Sequence, residues 1–98
     1  MRIYFDHNAT TPIDPEAAER MVQVLRETWG NASSIHHFGQ QAKAALDSAR
    51  SSVASLIGGD PSEVVFTAGG TESDNIAIRG AAEALEPTGR THLVTSAI

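Results

Sequence analysis

The sequence predicts an α/β protein, and three observations carry that prediction. Two stretches, within residues 14–30 and 38–57, repeat apolar residues at three- and four-residue steps, as amphipathic helices do. A third helical stretch is flanked by short runs rich in β-branched residues, EVVFT at 63–67 and THLVTS at 91–96, in the order strand, helix, strand. Glycine and proline clusters punctuate the junctions. The expected architecture is three helices, the third lying inside a βαβ unit. Its two strands should be parallel and its crossover right-handed.

Each element has its own local reason. Ile3 to Phe5 reads as a short strand, and the turn formers Asp6, Asn8, Pro12, Asp14 and Pro15 then impose an extended loop. Asp14 suits the cap of a first helix whose opening turn holds Pro15 and Glu16. Its apolar stripe is Ala18, Met21, Val22, Leu25 and Trp29, and Gly30-Asn31 stops it. NASSIHHFGQ is polar and irregular, a surface loop. The second helix, from Phe38 to Ile57, has its apolar stripe at Ala42, Ala45, Leu46, Ala49, Val53, Leu56 and Ile57, and Gly58-Gly59-Asp60-Pro61 ends it. The third runs from Thr71 to Leu85 and is broken by Pro87-Thr88-Gly89. Parallel strands are normally covered on both faces within a larger sheet, so the chain looks unfinished as a fold by itself.

Bulk properties exclude several classes of function. The 98 residues carry a net charge of -5 and a pI near 5.2, with 41% hydrophobic and 19% charged residues. That is an ordinary globular composition without the basic face of a nucleic-acid reader. No apolar run is long enough to cross a bilayer, and Asp6 interrupts the start before any signal-like stretch, so a cytoplasmic location is expected. The chain has no cysteine, which removes disulfides, thiolate metal sites and a cysteine nucleophile from these residues.

The most suggestive stretch is FTAGGTESDN, residues 66–75. In open α/β sheets a ligand sits where a strand hands over to a helix N-terminus. Gly69 and Gly70 permit positive φ and close backbone approach, so free amides of the first helical turn can face an oxyanion, with Thr71 and Ser73 adding hydroxyls. The competing reading is a well-capped helix, with Thr71 and Asp74 loosely matching a capping box. There is no Walker lysine, since Thr71 and Glu72 follow Gly70, and no G-x-G-x-x-G spacing. A single phosphate fits better than a polyphosphate, which makes pyridoxal phosphate and flavin mononucleotide the natural candidates.

YFDHNATTPIDPEA, GNASSIHHFG and EVVFTAGGTESDNIAIRG together resemble the N-terminal part of a cysteine desulfurase of the NifS/IscS type, within the class-V aminotransferase group. The resemblance spans essentially the whole chain. It implies a fold-type-I transferase dependent on pyridoxal 5'-phosphate, with a three-layer α/β/α large domain. Residues 1–15 would join a small domain, and residues 16–98 would begin the large cofactor-binding domain. The implied reaction takes sulfur from L-cysteine, leaving L-alanine and an enzyme persulfide. The implied partners are a second copy in a homodimer and a sulfur acceptor such as an iron–sulfur scaffold protein. By the same resemblance Gly69, Gly70 and Thr71 form the phosphate cup. Asn8, Ala9, Thr10 and Thr11 lie near the substrate entrance, and Asn31, Ser33, Ser34 and His36 belong to a loop approaching the active site. Ala32 stands where the family usually has proline, which should loosen that loop.

Three parts of such an enzyme are not among these residues: the persulfide-forming cysteine, the cofactor-binding lysine and a ring-stacking histidine. The one lysine, Lys43, reads as part of a solvated helix face. His36 and His37 are adjacent and lack partners at ligand spacing, which disfavours a metal. His7 reads as a turn residue, His92 as a structural one and Trp29 as a helix-end packing residue. Two rival functions stay open: a selenocysteine lyase or other class-V aminotransferase, and a non-catalytic module that grips a phosphate-bearing ligand.

Overall fold

The computed structural model describes residues 1–97. It contains three helices, α1 (Pro15–Glu27), α2 (His37–Ile57) and α3 (Gly70–Leu85), with single 3-10 turns at Pro61–Glu63 and Glu86–Thr88. The chain divides into two compact units, Met1 to Glu63 and Val64 onward.

The first unit opens with a hook. The Asp6 carbonyl accepts from the amides of Ala9 (3.1 Å) and Thr10 (3.3 Å), and the Tyr4 hydroxyl lies within bonding distance of the Asp6 and Thr10 carbonyls, at 2.9 and 3.0 Å. Asp14 caps α1 as its position predicts, its Oδ1 accepting from the Glu16 and Ala17 amides at 2.9 and 3.3 Å. The helix ends at Glu27, two residues short of the expected Trp29. Thr28 leaves helical geometry (φ -123, ψ 42), and the Trp29 ring stacks on Phe38 with centroids 4.9 Å apart. That ring contact belongs to the turn into α2, so Trp29 serves packing without extending the helix.

The end of α2 follows the expected chemistry. Gly58 adopts φ 70, the left-handed conformation that favours glycine, while Gly59 donates to the Ala54 carbonyl at 2.9 Å. The 3-10 turn then packs against α2. Asp60 Oδ1 accepts from the Ser62 hydroxyl (2.6 Å) and amide (2.8 Å), and those two bonds hold its carboxyl below the ordinary value of 3.8.

In the second unit, 64–67 lead into α3, and the Glu86–Thr88 turn packs on the end of that helix before Gly89 reverses the chain at φ 78. The expected βαβ unit is not formed: among the described residues there is no strand, and Ile3 to Phe5, EVVFT and THLVTS all lack a ladder. Glu63 is drawn into the 3-10 turn instead. A strand exists only through its neighbours' amides and carbonyls, and a two-stranded parallel pair without covering layers is marginal at best. Little is buried in either unit. Among the described residues the buried hydrophobic residue of the first unit is Ala54, 1% exposed, and that of the second is Val64, 9% exposed.

Candidate functional site

The loop Ala68-Gly69-Gly70-Thr71 is where α3 begins, so the sequence placed the helix start within one residue. Gly69 is the N-cap with φ 166 and ψ 177, extended backbone open to any residue, and no side chain caps it. Neither Gly69 nor Gly70 adopts the left-handed φ that the glycines were expected to supply; among the described residues that conformation belongs to Gly58 and Gly89. The Thr71–Asp74 capping box is likewise absent. What the two glycines contribute is space, because a Cβ built on either would meet nothing within 4 Å.

The first bond of the α3 ladder is from the Ser73 amide to the Gly69 carbonyl, 3.1 Å. The amides of Gly70, Thr71 and Glu72 therefore precede the ladder, at the positive end of the helix dipole. Ser73 does not add its hydroxyl to this set. Its Oγ lies 2.6 Å from Thr67 Oγ1 and donates to the Gly69 carbonyl at 3.2 Å, which ties the loop to the helix. Glu72 turns back on the loop, its carboxylate accepting from the Ala68 amide at 2.6 Å. That bond orders the loop and sets a negative charge beside the amides.

A shallow recess of about 610 Å³ lies over this junction, lined by Ala68, Gly69, Gly70, Thr71, Glu72, Asn75 and Arg79. Asn75 is anchored by its own Nδ2, which donates to the Thr71 carbonyl at 2.8 Å. Sequence reasoning stopped at the loop and missed Asn75 and Arg79. The signal was present: 71, 75 and 79 fall at four-residue steps along one face of a helix. Arg79 adds a cation to the lining that Glu72 shares.

The other expected site residues form two local clusters in the first unit. In the hook, the backbone of Ala9 and Thr10 is held by Asp6, and Thr11 Oγ1 lies 3.0 Å from His7 Nδ1. Beside it is a recess of about 350 Å³ lined by Tyr4, Thr10, Thr11 and Pro12. Asn8 sits at the exposed tip of the turn. The loop before α2 forms the second cluster. Asn31 Oδ1 accepts from the Ser33 amide (3.0 Å) and hydroxyl (2.8 Å), and the Asn31 carbonyl accepts from the Ser34 amide at 2.9 Å. His36 is the N-cap of α2, its Nδ1 accepting from the Gly39 amide at 3.3 Å. Both side chains are thus engaged in holding the loop.

The cofactor suggested by the sequence divides into two requirements. A phosphate fits the start of α3, where three amides, a threonine hydroxyl and the open face of two glycines are gathered. For the aldehyde, Lys43 is the only lysine, and it lies on the exposed face of α2 with its Nζ 2.6 Å from the Asp47 carboxylate. No group of three or more His, Asp or Glu among the described residues is placed to hold a metal ion.

Comparison with known proteins gives one consistent picture. The chain is 56% identical over 97 residues to the cysteine desulfurase IscS of Cronobacter sakazakii and 54% identical over 97 residues to that of Klebsiella pneumoniae. Each alignment takes in 96% of this chain and 24% of the relative, so the chain spans about a quarter of the length of these proteins. Among solved structures, a NifS-like protein superposes with a TM-score of 0.81 at 42% identity, over 89% of this chain and 24% of the other. The described fold is therefore that of the corresponding part of a NifS-like protein. The aminotransferase class-V family matches residues 3–98, and with the glycine loop at the head of α3 this establishes that the chain belongs to that family.

Proposed function

We propose that this chain contributes the phosphate-binding end of the pyridoxal 5'-phosphate site in a cysteine desulfurase, an enzyme that takes sulfur from L-cysteine and leaves L-alanine. The observation that carries the reading is the start of α3, where the Gly70, Thr71 and Glu72 amides precede the helical ladder and both glycines face open space. Identity of 56% to an IscS protein supports the choice of reaction. When bound, the cofactor supplies an electron sink for the bonds at the substrate's α-carbon. The residues of this chain bind and orient it: Gly69, Gly70 and Thr71 grip the phosphate, and Arg79 balances Glu72 at the rim.

Asn8, Ala9, Thr10 and Thr11 line the approach for substrate, and the loop bearing Asn31 and His36 closes on the same region. Residues 1–15 belong to a small domain and the remainder to the large one. There EVVFT and THLVTS are parallel strands of a sheet completed by other parts of the polypeptide. The enzyme works as a cytoplasmic homodimer and passes its persulfide sulfur to an acceptor such as an iron–sulfur scaffold. The 98 residues alone are inactive, because they contain no cysteine and their one lysine pairs with Asp47.

The test is Gly70→Val in the intact protein, which puts a branched side chain where the phosphate should approach. Cofactor retention, followed by visible absorbance during dialysis, should weaken about tenfold or more, with L-alanine production falling alongside. Unchanged retention would remove the phosphate from this loop.

A further inference from the structure

The loop between α1 and α2 is fastened by a titratable group. His36 is the N-cap of α2, with φ -77 and ψ 167, and its Nδ1 accepts from the Gly39 amide at 3.3 Å. An N-cap must accept, which is why serine, threonine, aspartate and asparagine dominate there. Histidine accepts only through an unprotonated ring nitrogen, so this geometry requires the neutral ring with its proton on Nε2. Once Nδ1 is protonated it becomes a donor facing a donor, and the ring's positive charge sits at the positive end of the helix dipole.

Much depends on this cap. Gly39 is buried, and its α-carbon is pressed against the Ser34 and Asn31 carbonyls, so closely that an added Cβ would meet the Ser34 carbonyl oxygen. Gly30 is pressed in the same way against the Phe38 carbonyl. The His36 carbonyl accepts from the Gln40 amide at 3.0 Å, and Trp29 stacks on Phe38. Residues 29–40 therefore close as one piece around the first turn of α2.

We infer that His36 is a pH-sensitive latch: neutral, it holds the loop Gly30–Ile35 against α2, and protonated, it releases that loop. No Asp, Glu, Lys or Arg occurs between Thr28 and Ala42, and the first turn of α2 has no acid. The neighbouring titratable residue in the chain is His37, whose ring lies edge-on to Phe38 at 5.6 Å. Flanking the stretch, Glu27 accepts from Gln23 at 3.1 Å and Lys43 pairs with Asp47. No carboxylate is therefore held by the loop or the first turn of α2 to retain a protonated ring. The latch is closed while Nδ1 is free to accept from the Gly39 amide and opens when that nitrogen gains a proton. It does not depend on which reaction the intact protein catalyses.

Hydrogen exchange in the intact protein tests this, with rates corrected for intrinsic pH dependence. Opening at Gly39 and Gln40 should rise about tenfold between pH 8 and pH 5.5, the effect expected of a lost cap and an adverse dipole contact together. His36→Asn keeps an acceptor that does not titrate, so its exchange should stay flat across that range. His37→Asn should behave as the parent does. A parallel rise in His36→Asn would overturn the proposal, as would loss of the rise in His37→Asn. A check free of mutation is the ring's nitrogen spectrum at pH 8: a proton on Nε2 is expected, and one on Nδ1 would sink the latch.

Discussion

At the scale of single residues, close approach and acceptor geometry decide most of what is distinctive. A methyl group at Gly39 would meet the Ser34 carbonyl oxygen and lie 2.8 Å from that of Asn31, both backbone atoms that cannot swing aside. Gly39→Ala should therefore destabilise the intact protein by about 1–3 kcal/mol, the usual cost of forcing extra volume into a filled space, as read from urea unfolding. Asp60 gives a pH prediction. Its carboxyl is lowered by the Ser62 hydroxyl and amide, so the turn's extra stability is present above the unfolded value of 3.8 and fades as pH falls through the lower folded value. A carbon-detected titration should find Asp60 titrating below 3.8, and Ser62→Ala should move it back upward.

At the scale of elements, helix ends are where sequence and structure agree best. Asp14 and Gly58 act locally, through one side-chain oxygen and one left-handed φ, and neither needs a distant partner. Asp14→Ala should cost about 1 kcal/mol in denaturant unfolding of the intact protein, and Gly58→Ala a similar amount, about 1 kcal/mol. The start of α3 combines two opposing features, amides that attract an anion and the Glu72 carboxylate that repels one. Glu72→Gln keeps an acceptor for the Ala68 amide while removing the charge. It should tighten retention of the phosphate-bearing cofactor severalfold, by about 1 kcal/mol, measured by equilibrium dialysis. A weaker hold in that variant would mean that Glu72 serves the site through order rather than charge.

At the scale of the whole molecule, the three helices present apolar faces with little to cover them. Met21, Val22 and Leu25 of α1, Leu56 and Ile57 of α2 and Ile76 and Ile78 of α3 are all exposed, while among the described residues the buried hydrophobic ones are Ala54 in the first unit and Val64 in the second. Residues 1–98 expressed alone should thus melt without a sharp calorimetric transition and bind a hydrophobic dye, since cooperative unfolding needs a shared core. The sequence by itself determined the helices, Asp14 and Gly58 as their local signals, and the glycine loop at the head of α3, because these depend on neighbours a few residues away. It also carried the family, through motifs in fixed order. Only the tertiary structure decided that Gly69 and Gly70 give space rather than left-handed turns, that Ser73 bonds its own loop, that Asn75 and Arg79 join the recess, and that His36 locks a buried glycine. Those outcomes turn on which atoms meet across folded backbone. The strands failed for the same reason: EVVFT and THLVTS have the right residues, but a ladder is made by partners, and the described residues provide none.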